Sequence, residues 1–209
     1  AGSGLPLAYI EGAWFGTGAH SSSPSTDGFV RTGGNSGADK FARLDVSRAD
    51  QLSVRANLRR RSQVGYVAQL GIMGRVTAGS TGNSDTGMGG VIFYMASLDA
   101  ATVRLFLQER QPDNIPATPA LDLGALAWPA GGTKQLRMEF AGQLVRCYVS
   151  EADGSNELLV AAPTLANDWN DSSHTHAGFY FRHYDDSGFN NFYVSPLAPA
   201  QVLVTAGVR

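Results

Sequence analysis

Three acidic residues that lie close together in the second half of the chain raise the question of hydrolytic chemistry. They are Glu151, Asp153 and Glu157. Two carboxyl groups held across a glycosidic bond can hydrolyse it, one acting as the acid and the other as nucleophile or base. Residues 154–156 are Gly-Ser-Asn, which favours a tight turn and places Glu151 and Glu157 on two strands that flank a hairpin tip. A pair separated in this way does not hold catalytic geometry, so we expect no enzymatic activity.

The segment from 167 to 176 is rich in oxygen and imidazole ligands. The candidate metal ligands in it are Asp168, Asn170, Asp171 and His176. Carboxylate and amide oxygens are hard ligands that suit Ca²⁺, whereas a histidine beside a carboxylate suits a transition metal. Asp and Asn also form turns by bonding their own backbone. The segment therefore offers an optional Ca²⁺ site, and we expect no required cofactor.

Aromatic residues near loops are candidate glycan-binding residues, because the flat face of a sugar stacks on an aromatic ring. The set predicted from position is Trp128, Trp169, Tyr184 and Phe189. Trp128 precedes a proline and Trp169 lies among polar residues, so we expect these two rings to be exposed. Buried tryptophan is the commoner case in proteins, and the glycan-binding set stays a hypothesis.

Charge and cysteine content exclude several function classes. The net charge is −2, and the one basic block is the arginine run at 59–61. A nucleic-acid binder needs a clustered basic surface, whereas three arginines at a strand end predict a solvated edge. Cys147 is the single cysteine and lies in an alternating strand, which predicts a buried thiol. Residues 1–4 lack signal-peptide features and no apolar run reaches membrane-spanning length, so we expect no membrane or nucleic-acid partner.

Strands must position these side chains, because period-two alternation recurs along the chain and helical periodicity is almost absent. The 25 glycines and the charged fraction of 16% suit short strands joined by tight turns. The predicted strands are 52–59, 66–73, 91–95, 103–108, 136–140, 144–150, 157–161, 177–182, 189–194 and 202–205. We expect 66–73 to be the return strand of 52–59, and 177–182 to form a last hairpin with 189–194. We also expect a turn at 97–102 to join 91–95 to 103–108, and the strands from 136 to 161 to form a run of three connected by hairpins. The candidate helices are short, at 48–50 and, as an alternative to the turn, at 97–101.

The order of these segments resembles the concanavalin A-like, or laminin G-like, jelly roll. The segments that carry the likeness are Leu52-Ser-Val-Arg-Ala-Asn-Leu, Gly65-Tyr-Val-Ala-Gln-Leu, Val103-Arg-Leu-Phe-Leu, Gln135-Leu-Arg-Met-Glu-Phe and the closing pair Ala177-Gly-Phe-Tyr-Phe and Phe189-Asn-Asn-Phe-Tyr-Val. The likeness covers about 9–196. It implies an all-β, antiparallel two-sheet jelly-roll sandwich in which an N-terminal strand, here 9–15, pairs with the closing strand. We therefore predict a lectin-like β-sandwich domain over 1–196, short terminal arms, and a C-terminal extension over 197–209.

The resemblance also implies where members of this superfamily carry out chemistry. β-Glucanases of this fold carry Glu-x-Asp-x-Glu or Glu-x-Asp-x-x-Glu, and the spacing from Glu151 to Glu157 is one residue too long. Legume lectins bind a transition metal through Asp-Pro-x-x-x-His-x-Gly. Asp171 and His176 match that spacing, while the proline and the upstream acidic strand are missing. Laminin G-like domains hold Ca²⁺ at the sandwich rim through oxygens such as those of residues 167–171.

Three functions stay open, because one fold supports many activities. The first is a non-enzymatic structural or adhesive protein, a virion component such as a bacteriophage capsid-decoration or tail-surface protein. Its terminal arms would bind protein partners or other copies of the chain, and it would lie on the virion surface or outside the cell. The second is a carbohydrate-binding lectin module that uses the concave sheet and the loops at 167–171 and 183–189. The third, a polysaccharide hydrolase or lyase, needs two opposed acidic side chains.

Overall fold

The computed structural model describes residues 23–24, 30–31, 40–45, 51–60, 69–77, 89–110, 120–167, 169, 174–182 and 187–197. Within these ranges every regular element is a β-strand, and no helix there has the length and apolar character to cross a membrane. The strands are β1 (Ser23–Pro24), β2 (Val30–Arg31), β3 (Lys40–Asp45), β4 (Gln51–Arg59), β5 (Gln69–Val76), β6 (Gly90–Ser97), β7 (Thr102–Arg110), β8 (Leu121–Ala127), β9 (Thr133–Ala141), β10 (Leu144–Glu151), β11 (Leu158–Ala161), β12 (His176–Arg182) and β13 (Gly188–Pro196).

The strands form two antiparallel sheets. The seven-stranded sheet has the order β1-β2-β13-β4-β9-β10-β11, and the six-stranded sheet has the order β3-β12-β5-β6-β7-β8. The closing strand β13 lies between β2 and β4, so an N-terminal strand does pair with it, although that strand is β2. The predicted strand at 9–15 lies outside the described residues. The prediction of an all-β, two-sheet jelly-roll sandwich is confirmed.

One face of each sheet meets the other in a continuous apolar core. Alternating side chains from both sheets enter it, among them Val54, Met138 and Phe93, which are fully buried. Each large apolar side chain that leaves water contributes about 1.5–3 kcal/mol to folding. Cys147 is fully buried in the same core, as the alternation predicts, and burial raises the pKa of its thiol far above the ordinary value.

Two of the expected hairpins are wrong. β4 pairs with β13 and β9, whereas β5, its expected return strand, lies in the other sheet between β12 and β6. β12 and β13 also lie in different sheets. Alternation marks which side of a strand is buried, but it is the same whether the next strand pairs beside it or crosses the core. The β6-β7 hairpin and the β9-β10-β11 meander are confirmed.

The alternative of a helix at 97–101 is wrong, because this segment is the expected turn between β6 and β7. The carboxylate of Asp99 closes the turn by accepting hydrogen bonds from the backbone N–H groups of Ala101 (2.7 Å) and Thr102 (2.8 Å). The predicted helix at 48–50 and the predicted strand at 202–205 lie outside the described residues. The predicted domain boundary after residue 196 stays a prediction.

Candidate functional site

Trp128, the first of the predicted glycan-binding rings, is fully buried. Its indole Nε1–H donates to the carbonyl of Gly132 at 2.9 Å, so the polar edge of the ring has a partner inside the protein. The expectation that Trp128 is exposed is wrong. A proline after a tryptophan marks the end of a strand, but it does not decide which way the ring turns.

Arg60 lies beside Trp128 and is also buried, at 2% exposure. Its guanidinium donates to the backbone carbonyls of Trp128 and Asp99, and its Nε lies 3.3 Å from the Ser97 hydroxyl. Burial lowers the pKa of Arg60, and the negative charge of Asp99 opposes this effect. Arg60, the middle residue of the arginine run at 59–61, is therefore buried and connects two loops through hydrogen bonds. The expectation that the whole run is a solvated edge is wrong.

Trp169 is only 5% exposed, so the expectation of an exposed ring is wrong here as well. Its Nε1–H donates to a carboxylate oxygen of Glu109 at 3.0 Å, and the ring packs edge-on against His174 at 4.9 Å. Glu109 also accepts the backbone N–H groups of Ala166 (2.8 Å) and Asn167 (3.0 Å). This carboxylate at the end of β7 holds the segment before Trp169 and satisfies the indole, which allows the ring to enter the core.

Phe189 is fully buried and stacks on Phe179 with 3.6 Å between ring centroids. Tyr184, the fourth predicted ring, lies outside the described residues. The three rings that the structure describes therefore present no face to solvent, and they do not form a glycan platform together.

The candidate metal ligands are only partly within the described residues. Asp168, Asn170 and Asp171 lie outside them, while His176 begins β12 with its Nδ1 3.3 Å from the Thr175 hydroxyl. Among the residues that the structure describes, no group of three or more His, Cys, Asp or Glu side chains has a metal-binding arrangement. The metal site stays a prediction.

Glu151 and Glu157 lie on either side of the β10-β11 turn, as their spacing in the sequence predicts. Glu151 ends β10 and Glu157 precedes β11, with Gly154 at a φ of 85° in the turn between them. The Lys134 ammonium contacts Glu151 at 2.7 Å, and Arg137 Nε donates to Glu157 at 2.8 Å. Each carboxylate thus has its own cationic partner on the neighbouring strand β9.

A row of aromatic side chains that the sequence analysis missed crosses the outer face of the six-stranded sheet. Tyr180, Gly71, Tyr94, Phe106 and Asp122 lie opposite one another on five adjacent strands. The Tyr94 ring stacks on Phe106 at 5.3 Å and meets Tyr180 edge-on at 5.2 Å. Tyr94 and Tyr180 are buried, whereas Phe106 is half-buried and Asp122 is exposed. The accessible part of the row is therefore Phe106 on β7 and Asp122 on the edge strand β8.

Gly71 allows the row to close. A Cβ at this position would lie 2.5 Å from the Tyr94 Cβ and 2.5 Å from the Phe93 carbonyl oxygen. The absence of a side chain on β5 leaves room for the Tyr94 and Tyr180 rings to meet across it.

The accessible part of this face, which we call the β7 platform, consists of Arg104, Phe106 and Gln108 on β7 and Asp122 on β8. Arg104 Nη1 lies 3.4 Å from the Asp122 carboxylate, and both side chains are about half exposed, at 47% and 46%. The Gln108 side-chain oxygen accepts from Arg110 Nε at 3.2 Å. The platform combines a flat apolar ring with donors and acceptors on both sides. An aromatic residue on the polar face of the 103–108 strand was the signal in the sequence.

No protein-family model matches this chain, and no curated protein matches it in sequence. Solved structures do match. The CBM2 module of the evolved Dit of Lactobacillus casei BL23 phage J-1 is 11% identical, with 92% of this chain and 85% of that chain covered and a TM-score of 0.55. The carbohydrate binding module CBM66 from Bacillus subtilis is 14% identical, with 84% and 91% covered and a TM-score of 0.51.

An alginate lyase from Pseudomonas aeruginosa is 15% identical, with 80% of this chain and 75% of that chain covered and a TM-score of 0.46. Identities this low bear on the fold alone. The strand order of the two sheets and the two matches with TM-scores above 0.5 show that the chain has an antiparallel, two-sheet jelly-roll β-sandwich fold.

Proposed function

We propose that this protein is a non-enzymatic, carbohydrate-binding adhesive module and that the β7 platform holds the saccharide. The observation that carries the proposal is the half-buried Phe106 ring, which is stacked on Tyr94 at 5.3 Å and flanked by the Arg104–Asp122 pair. A sugar presents a flat patch of C–H groups with hydroxyls around its edge. An aromatic ring bordered by polar side chains matches both features.

The polar pair suits neighbouring hydroxyl groups. The Asp122 carboxylate accepts hydrogen bonds and the Arg104 guanidinium donates them, so the pair offers both roles side by side. Since both side chains are about half exposed, a hydroxyl replaces water at little desolvation cost. The ion pair also leaves the two side chains with no net charge, which favours a neutral saccharide.

Two solved structures support this proposal. Two matches with TM-scores above 0.5 are carbohydrate-binding modules. A rigid sheet face suits recognition without chemistry, because it holds Phe106 and Asp122 in fixed register.

A glycan array followed by calorimetric titration of the intact protein tests the proposal. We expect binding of a neutral saccharide that weakens at least tenfold in Asp122→Asn and in Phe106→Leu. The leucine keeps apolar volume beside Tyr94 but removes the flat ring. Arg146→Gln is the matched control, because Arg146 is a partly exposed arginine on the other sheet whose Nη1 lies 4.0 Å from the Glu139 carboxylate. Binding that both platform variants retain would contradict the proposal, as would cleavage of any bound polysaccharide.

The setting that we propose for this module is a virion surface, where it would be a bacteriophage tail-surface or capsid-decoration component outside the cell. The support is the match to a module of a phage Dit protein, which extends over 92% of this chain. We propose that the terminal arms bind protein partners or other copies of the chain. Light scattering of the intact protein over a wide concentration range tests self-association, and a monomer at the highest concentration would contradict it.

A further inference from the structure

A second cross-strand row lies on the outer face of the seven-stranded sheet, on the opposite side of the sandwich from the β7 platform. Tyr193, Arg55, Arg137 and Tyr148 are register partners on β13, β4, β9 and β10. Strands in a sheet lie about 4.8 Å apart, so the row extends over roughly 14 Å. Two arginines stand at its centre and a tyrosine at each end.

The Arg137 guanidinium already has charged and aromatic partners within the protein. Its guanidinium forms ion pairs with both Glu139 and Glu157, and it lies 3.9 Å from the centre of the Tyr148 ring. The Tyr148 hydroxyl in turn donates to Glu139 at 3.0 Å. This half of the row is a closed network of charges with internal partners.

Arg55, in contrast, has an exposed side chain. Its guanidinium carbon lies over the Tyr193 ring, 4.7 Å from the ring centroid. Among the described residues, no carboxylate lies within ion-pair distance of Arg55. It also stands directly opposite Arg137, whose charge Glu139 and Glu157 compensate. Arg55 is therefore the arginine of this row that can still bind a carboxylate from outside the protein.

We propose that Arg55 and Tyr193 form a second binding site, which recognises a carboxylate carried on a saccharide. A guanidinium has a planar fork of N–H donors that matches a carboxylate with two hydrogen bonds. Contact with the Tyr193 ring restricts the guanidinium, while the Arg55 side chain stays exposed to a ligand. Arg137 does not compete for the ligand, because Glu139 and Glu157 already occupy its guanidinium.

The neighbouring row favours a saccharide over an acidic peptide. Ser53 and Ser195 are register partners next to Arg55 and Tyr193 on the same strands. Their hydroxyls both donate and accept hydrogen bonds, which suits the hydroxyl groups along the edge of a sugar. An acidic peptide would present a carboxylate without such hydroxyl groups, so the two serines favour the saccharide.

Titration of the intact protein with a galacturonate oligosaccharide, its methyl ester and polyglutamate of equal charge tests this site. We expect the galacturonate oligosaccharide to bind at least tenfold more tightly than the ester, and to lose at least tenfold in affinity in Arg55→Gln. Arg146→Gln, an exposed arginine on the same face, should stay within twofold. The proposal is overturned if the ester binds equally well, if Arg55→Gln has no effect, or if polyglutamate binds as tightly as the galacturonate oligosaccharide.

A stability measurement separates a binding role from a structural one. Arg55 is exposed, so Arg55→Gln should lose carboxylate binding while the unfolding midpoint changes by no more than about 2 °C. A larger fall in the midpoint would show that Arg55 is there for stability. Arg55→Gln should bind a neutral saccharide as tightly as the native protein does, so failure of the second site and failure of the β7 platform are told apart.

Discussion

The strongest stability prediction concerns Arg60, the buried residue that ties the β6-β7 turn to the end of β8. Arg60→Ala removes the donors to the carbonyls of Trp128 and Asp99 and leaves those carbonyls without this partner. A hydrogen bond to a charged group contributes about 1.5–3 kcal/mol, so two such bonds predict a loss of about 3–6 kcal/mol. For a chain of this size, that loss lowers the melting temperature by at least roughly 6 °C.

Thermal and urea unfolding, followed by tryptophan fluorescence, measure the effect directly, because Trp128 lies at the site. Two further substitutions test the geometry. Arg60→Lys keeps the charge but has no planar fork for two carbonyls, so we expect an intermediate loss. Arg146→Ala removes an exposed arginine whose side chain is 40% exposed, and a surface pair of this kind contributes at most about 1 kcal/mol.

A loss of stability in Arg60→Ala no larger than the loss in Arg146→Ala would refute a stabilising role for Arg60. Native stability in Arg60→Met, which replaces the side chain with an apolar one of similar length, would also refute it. That second outcome would mean that the desolvation cost of the guanidinium offsets its hydrogen bonds.

Two further predictions follow from buried polar groups. Glu109→Gln exchanges a carboxylate that accepts from Trp169, Ala166 and Asn167 for an amide with its own donors, which should cost about 1–3 kcal/mol and shift tryptophan emission to longer wavelength; unchanged emission and stability would count against it. Cys147 is buried and the pKa of its thiol is raised, so it should resist a thiol-specific disulfide reagent at pH 8 in the folded protein and react on unfolding; reaction at the rate of a free thiol in the native state would contradict its burial.

Some predictions from the sequence hold because their physical basis is local. Leu52, Val54, Ala56 and Leu58 alternate along one strand, and all four are buried in the core. The turn residues around Gly154 also predict the β10-β11 hairpin correctly. Period-two alternation and turn chemistry act over a few residues, so the predictions made from them do not depend on how distant strands pair.

Other predictions fail because distant parts of the chain decide them. The carbonyl of Trp128 accepts from Arg60, which lies 68 positions away, and the carboxylate that holds Trp169 lies 60 positions away. Neither partner is visible in the sequence near each tryptophan. Both rings therefore turn inward, although their local surroundings are polar or loop-like. The exposed ring of the β7 platform, Phe106, lies instead in a strand.

Local sequence patterns are enough to predict that the chain forms an antiparallel all-β sandwich and which face of most strands enters the core. Long-range packing sets which sheet each strand joins, as with β4 and β5, which follow one another in the chain and lie in different sheets. It also assembled Tyr180, Tyr94 and Phe106 into one row and set Arg55 opposite Arg137. Alternation records the environment of one strand, whereas register and burial depend on strands that are distant in sequence.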